Sequence, residues 1–294
     1  MGKIKEFFEK RANKKRALIQ NKETKKKEKR LALLKQGKLV PKGKIGLCLG
    51  GGGTRGFAHI GVLKAFEEYG FDFDVCAGTS VGSLVGALKC SGLSADEIYE
   101  YGKTLEMKDI RSKNLLVPAS TDGIRKAVED NVGRINIEDL PKQFCAVATD
   151  LVSGTEKPLA EGDLASAVCA SCAVPHVFKP VIIGDMHFVD GGLLNNIPAD
   201  VCRMLGAKYV VSVDVNPGRC GGTEEVGSIA VIKASLSIMM SNSSFKGYLN
   251  SDVMVEVNTD KFKSYSKEGF EEMFVLGYEA GVKAIDEIVE KLYY

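Results

Sequence analysis

No apolar run in the 294 residues approaches the ~18 that a bilayer-spanning helix needs, which argues against a transmembrane segment. A secretory signal is not expected, for a related reason: charges interrupt each short apolar cluster near the start (Phe7 and Phe8, Ala17 to Ile19, Leu31 to Leu34) before it reaches the length of a signal core. Histidine is scarce, with only His59, His176 and His187. None follows residue 187, whereas the α/β-hydrolase order of serine, acid, histidine puts the histidine late in the chain, which argues against a histidine base. The eight cysteines (Cys48, Cys76, Cys90, Cys145, Cys169, Cys172, Cys202 and Cys220) show no framework spacing and mostly lie in apolar segments, where they read as reduced buried thiols. Cys169 and Cys172 match C-x-x-C, but no second ligand pair stands near them. No metal, no cofactor and no nucleic acid is expected, and no internal repeat is visible. A cytoplasmic chain is the expectation.

Charge is unevenly placed. Residues 1–44 hold 17 Lys/Arg against 4 Asp/Glu, whereas the remaining 250 hold 23 against 34. Residues 1–43 therefore read as a basic, partly helical extension, ending in the linker-like "QGKLVPKGK". It reads equally well as a solvated tail and as a surface that docks peripherally on the anionic inner face of a membrane. Gly2 has Glu6 where a myristoylation signal wants Ser or Thr.

From Lys44 onward, short apolar strands alternate with helical stretches. Strands are expected at Lys44–Leu49, Phe73–Ala77, Phe144–Thr149, Val181–Ile183, His187–Val189, Tyr209–Val215 and Val253–Val257. Helices are expected at Gly56–Tyr69, Ser80–Cys90, Asp163–Ala170, Ala199–Leu205, Ser228–Lys246 and Phe270–Lys291, with a capping box in "SADE", Ser94 to Glu97, opening another. Such alternation predicts a three-layer α/β/α domain over 44–294 with a mostly parallel central sheet, and ligand chemistry at the carboxyl ends of its strands. Residues 91–143, helical and polar, read as a cap or insertion.

Three loops at strand ends carry chemistry. The first, "LGGGGTRG", fits the dinucleotide pattern through Gly51, Gly53 and Gly56, but the acids meant for the ribose, Asp72 and Asp74, precede or open the second strand instead of closing it. What closes that strand is the second loop, Gly78-Thr79-Ser80-Val81-Gly82, a G-x-S-x-G between strand and helix that suits a nucleophile elbow. Its serine needs a base. His59 reads as packing or loop support, His187 as strand alternation, and His176, next to Pro175, is kept as a spare. The third loop, Asp190-Gly191-Gly192, offers a carboxylate instead; Asp150 and Asp214 also end strands, but neither precedes a double glycine. The first loop then supplies backbone N–H donors to an oxyanion from Gly51, Gly52 and Gly53, while Arg55 adds positive potential or braces the loop.

In this order "GGGGTRG", "GTSVG", "ASCAVPHVFKPV" and "DGG", with the late "LGYEAG" helix, resemble the patatin-like phospholipases over about residues 44–292. The resemblance implies a Ser-Asp dyad lipid acyl hydrolase without catalytic histidine or metal: Ser80 as nucleophile, Asp190 as base, and Gly51, Gly52, Gly53 and Arg55 on the oxyanion loop. His176 and Cys172 depart from the family's smaller residues. Other readings are a lipid acyltransferase using the same dyad, a nucleotide-binding oxidoreductase and a silent lipid-binding module.

Overall fold

The computed structural model describes residues 24–104, 118–218, 223–225, 227–262 and 269–294. A central sheet of eight strands runs β5-β6-β3-β2-β1-β7-β8, with β4 paired to β3 off this path. The strands are β1 (Ile45–Leu49), β2 (Val75–Thr79), β3 (Gln143–Asp150), β4 (Thr155–Leu159), β5 (Val181–Ile183), β6 (Met186–Asp190), β7 (Tyr209–Asp214) and β8 (Val253–Glu256). From β3 to β8 along that path all neighbours are parallel, whereas β4 and β6 pair antiparallel with β3 and β5 pairs antiparallel with β6. The expected α/β/α architecture with a mostly parallel sheet is what the chain adopts.

Period-two alternation divides β1 between the two faces of the sheet. Leu47 and Leu49 join a core with Val211, Val213 and the helices α2 (Gly56–Tyr69) and α10 (Phe270–Leu292). Cys48 turns the other way, into a smaller core with Ala77, Val147, Ile197 and Cys202. The helix α7 (Ala199–Met204) covers that second face. All seven described cysteines are buried and free; Cys220 lies outside the described residues.

The pairing of α2 with α10 depends on missing side chains. A Cβ on Gly277 would collide with the carbonyl of Ala58, and one on Gly61 with the carbonyl of Phe274. The two backbones thus touch directly, which gives the "LGYEAG" helix its physical meaning.

Several boundaries differ from expectation. β2 starts two residues later than Phe73 and runs on to Thr79, so it delivers Ser80 straight from the strand. β4 was not anticipated: "TEKPL" is polar and holds Pro158, which a strand bonded to one neighbour tolerates. The helix expected over Ser228–Lys246 is two, α8 (Ser228–Ser243) and α9 (Phe245–Asn250). The capping box holds, with Glu97 accepting from Ser94 N and Oγ and Glu97 N donating to Ser94 Oγ. Of residues 91–143, α4 (Ala95–Thr104) packs on α2, while α5 (Asp122–Val132) packs on α6 (Leu164–Ser171). The segment 105–117 of the expected cap lies outside the described residues.

The basic extension is described from residue 24, as the helix α1 over 24–35. Its end is not loose. Leu34 is buried, Lys27 pairs with Asp286, and Lys42 donates its N–H to Leu292 and its ammonium to the carbonyls of Glu290 and Lys291. Residues 1–23 lie outside the described part.

Because the α2–α10 contact is backbone against backbone, Gly277→Ala is expected to lower the unfolding free energy by about 1–3 kcal/mol in urea denaturation, without altering the far-UV spectrum at zero denaturant.

Candidate active site

The turn from β2 into α3 (Val81–Cys90) sets Ser80 at φ 55° and ψ −129°, a conformation that an L-residue adopts at a cost of about 1–3 kcal/mol. The flanking glycines make so sharp a turn fit. A Cβ on Gly78 would strike the backbone of Gly82, and one on Gly82 the carbonyls of Leu49 and Gly50. Three serine and threonine hydroxyls then hold the turn. Ser171 Oγ accepts from Ser80 N (2.9 Å) and donates to Val147 O (2.6 Å), Ser83 Oγ donates to Ser80 O (2.7 Å), and Thr79 Oγ1 donates to Asn195 O (2.8 Å). Ser80 caps the N-terminus of α3, where the helix dipole favours negative charge.

Register, not strand direction, brings Asp190 level with this serine. β6 runs opposite to β3, so Asp190 does not sit at a carboxyl end in the sense expected of a parallel sheet. Asp190 pairs with Ala148, one residue beyond the Val147 that pairs with Thr79. Its backbone is fixed by Asp190 N donating to Ala173 O (3.0 Å) and Thr149 Oγ1 donating to Asp190 O (3.2 Å).

The carboxyl group is fully buried. Gly192 N donates to Oδ1 at 2.8 Å, while Oδ2 has no hydrogen-bond partner of regular geometry. Desolvation pushes the pKa from 3.8 up to about 6; the nearby Ser80 hydroxyl and then the Gly192 N–H hold it from rising further. No salt bridge among the described residues reaches this group. The rival carboxylates have other work. Asp150 accepts from Val152 N and from Ser153 N and Oγ, and Asp214 accepts from Asn216 N and the Tyr248 hydroxyl.

The glycine loop lies against the serine. A Cβ placed on Gly51 would be 3.4 Å from Ser80 Cβ. Its three expected donors are not equivalent, however. Gly51 N donates to Asn196 O at 3.0 Å, so this N–H is engaged within the protein. No backbone acceptor for Gly52 N or Gly53 N occurs among the described residues. Arg55 is buried and donates through Nη2 to Phe262 O at 2.8 Å. Gly56 fits under Val81, whose side chain a Cβ there would strike.

The histidines fall where the sequence put them. His59 is fully buried, its Nε2 is 2.7 Å from Gly50 O, and desolvation lowers its pKa to about 4, so it supports the loop as a neutral ring. His176 takes φ 70°, and no hydrogen bond among the described residues joins it to Ser80 or Asp190. His187 lies on β6 with its N–H on Asp150. Cys169 Sγ donates to Thr121 O, whereas Cys172 Sγ faces Ser83 Oγ at 3.8 Å, so the two thiols serve separate neighbours. Asp74 Oδ2 accepts from Ile45 N at the start of β1 and Asp72 pairs with Lys142, both at the opposite end of the sheet from the glycine loop.

Asn196 is the residue that sequence reasoning missed. Its carbonyl takes Gly51 N, its Nδ2 donates to Ser244 Oγ (3.0 Å), and its buried Oδ1 has no hydrogen-bond partner among the described residues and lies where a Cβ on either Gly51 or Gly192 would meet it. The paired "NN" after "DGGLL" was the available signal, because two consecutive amides beside a glycine turn can tie loops together.

Ionising Asp190 costs the folded state ~3 kcal/mol, given the rise from 3.8 to about 6. A carboxyl that holds its proton more tightly when folded stabilises fully below the ordinary carboxylate pKa and loses that contribution as pH rises through about 6. The difference in unfolding free energy between wild type and Asp190→Asn is therefore expected to shift against wild type by up to ~3 kcal/mol between pH 4 and pH 7. Ser80→Gly, which relieves the positive φ, is expected to unfold at higher denaturant than Ser80→Ala, by about 1 kcal/mol.

Residues 47–203 match the family described as Patatin-like phospholipase. An uncharacterised NTE family protein of Mycobacterium bovis is 37% identical over 185 residues, covering 60% of this chain and 51% of that one. The human patatin-like phospholipase domain-containing protein 6 is 36% identical over 181 residues, 58% of this chain and 13% of its own length. The crystal structure of VipD from Legionella pneumophila superposes with a TM-score of 0.56 at 15% identity, over 84% of this chain and 67% of VipD, which speaks to the fold alone. This chain thus spans about half, or much less, of the relatives that it matches in sequence. With three strand-end loops meeting as described and more than half of its length matched, the chain belongs to the patatin-like phospholipase family.

Proposed function

We propose that the chain hydrolyses carboxylic esters of lipids through a Ser80–Asp190 dyad. The observation that carries the reading is a strained serine at a helix N-terminus near a buried carboxylate whose second oxygen has no hydrogen-bond partner of regular geometry among the described residues. In this mechanism Asp190 takes the Ser80 proton as Oγ attacks the acyl carbonyl. The N–H groups of Gly52 and Gly53, with the α3 N-terminus, hold the oxyanion, each donor contributing about 3–4 kcal/mol to the transition state. Collapse breaks the ester bond, and Asp190 passes its proton to the departing alcohol. Water deprotonated by Asp190 then attacks the acyl-serine, and Ser80 recovers its proton as it leaves.

A pKa near 6 suits this work, because the carboxylate is a stronger base than a solvated aspartate and is still ionised near neutrality. No helix among the described residues is long and apolar enough to cross a membrane, so a lipid substrate has to be met at the surface of its aggregate. Residues 1–23, with 8 Lys/Arg against 3 Asp/Glu, add an attraction to anionic headgroups on the inner face of a membrane.

Ser80→Ala and Asp190→Asn are each expected to lower hydrolysis of a fatty-acyl ester by about 10³-fold or more while remaining folded. Full activity in either folded variant overturns the dyad. For wild type, kcat/KM should climb about tenfold per pH unit below about 6 and level off above it, a profile absent if Asp190 is not the base. Deleting residues 1–23 should weaken binding to anionic vesicles at low salt and leave binding at high salt little changed; equal binding at low salt removes the extension's role.

A further inference from the structure

The helix α8 (Ser228–Ser243) is sixteen residues long and has no buried residue. Ile229, Val231, Ile232, Ile238 and Met239 are each 43–50% exposed on it. The apolar surface continues onto Phe245 and Leu249 of α9, at 67% and 70%, and onto Leu194 beside the catalytic turn. Isolated exposed aliphatics are ordinary on a soluble protein, whereas a contiguous helix of them marks a contact surface.

This helix does not hang free of the site. Ser243 Oγ donates to Gly192 O at 2.6 Å and accepts from Asn196 N at 3.1 Å. A Cβ on Gly192 would strike the end of Met240. The half-buried Ala230, Ala234, Ser237 and Ser241 turn toward the protein, and on the opposite side Ile232 and Met239, two turns apart, point outward. The turn that carries Asp190 therefore has an apolar roof whose outer face is open among the described residues.

Charge selects the occupant. Between Glu225 and Asp252 the sequence has two lysines and no acidic residue, although residues 45–294 as a whole are strongly acidic; Lys246 of α9 is paired with Glu156 and Asp200, which leaves Lys233 as the charge of α8. An apolar helix whose one charged side chain is a lysine, Lys233, suits the boundary between anionic headgroups and acyl chains. A solvated face would carry charges of both signs. We propose that α8 is a membrane-docking helix that lies in the interface of an anionic lipid surface with Ile232 and Met239 inserted, setting the mouth of the Ser80 site against the lipid. The delivery of substrate rests on the hydrolase reading above; the docking does not.

The chain contains no tryptophan, so Ile232→Trp in the full-length protein supplies a single reporter. Its emission is expected to shift to the blue on adding vesicles of phosphatidylglycerol and phosphatidylcholine built from non-hydrolysable ether lipids. The shift should persist at high salt, where an electrostatic tail contact is screened. The double variant Ile232→Glu/Met239→Glu should bind those vesicles about tenfold or more weakly, while hydrolysis of a short-chain, water-soluble ester stays within about twofold of wild type. Unchanged vesicle affinity in the double variant, or no blue shift for Ile232→Trp, overturns the docking. A wild-type dimer in sedimentation that the double variant dissociates, with no vesicle binding by either, assigns the face to a second copy and likewise overturns it. Absence of soluble-ester hydrolysis in wild type removes the hydrolase reading alone, because the ether-lipid binding is read without catalysis.

Discussion

A carboxyl group buried with no salt-bridge partner among the described residues is the constraint around which the site is arranged. Asp190 is held by one N–H from Gly192, and its other oxygen is left without a regular partner. In a folded core such an arrangement opposes stability, and a protein selected only to fold would fill the site with an apolar residue. Hydrogen bonds from several segments hold its surroundings in place: the Ser171 hydroxyl bridges β3 to the elbow, Thr149 donates to the Asp190 carbonyl, and Asn196 ties the glycine loop to the aspartate turn. The strain at Ser80 belongs to the same pattern, for a positive φ persists only where neighbours over-determine it.

Three separate segments supply that geometry, and the sheet is what brings them together. β1 and β2 are parallel neighbours, so the glycine loop and the elbow leave the same edge side by side. Asp190 comes from an antiparallel strand and reaches the serine through register alone. A slip of one residue between β6 and β3 would turn the carboxylate to the other face. The site is thereby sensitive to the packing of β3, the strand that also carries β4 and the acceptor Val147.

Much of this was legible in the sequence. Gly56–Tyr69 was bounded correctly because glycine marks both its ends in sequence and its apolar positions recur at helical spacing. Ser80 and Asp190 stood out because each has glycines where a side chain could not fit. The dinucleotide reading failed on Asp72 and Asp74, which the fold uses at the far end of β1 and β2. Less legible was whatever depends on long-range pairing. The polar strand β4 has no apolar alternation to signal it, and the occupation of Gly51 N by Asn196 is a contact across 145 positions of sequence that no local pattern encodes. The antiparallel direction of β6 could not be read from a three-residue apolar run.

In the proposed mechanism Ser80 is a nucleophile whose proton goes to Asp190. Reaction with a fluorophosphonate, followed by intact mass and peptide mapping at pH 8, tests this most directly. Wild type should gain one adduct on Ser80, Ser80→Ala none, and Asp190→Asn the same adduct at a rate lower by two orders of magnitude or more, on the order of what a general base contributes. An adduct on another residue, or equal labelling of all three proteins, would contradict it.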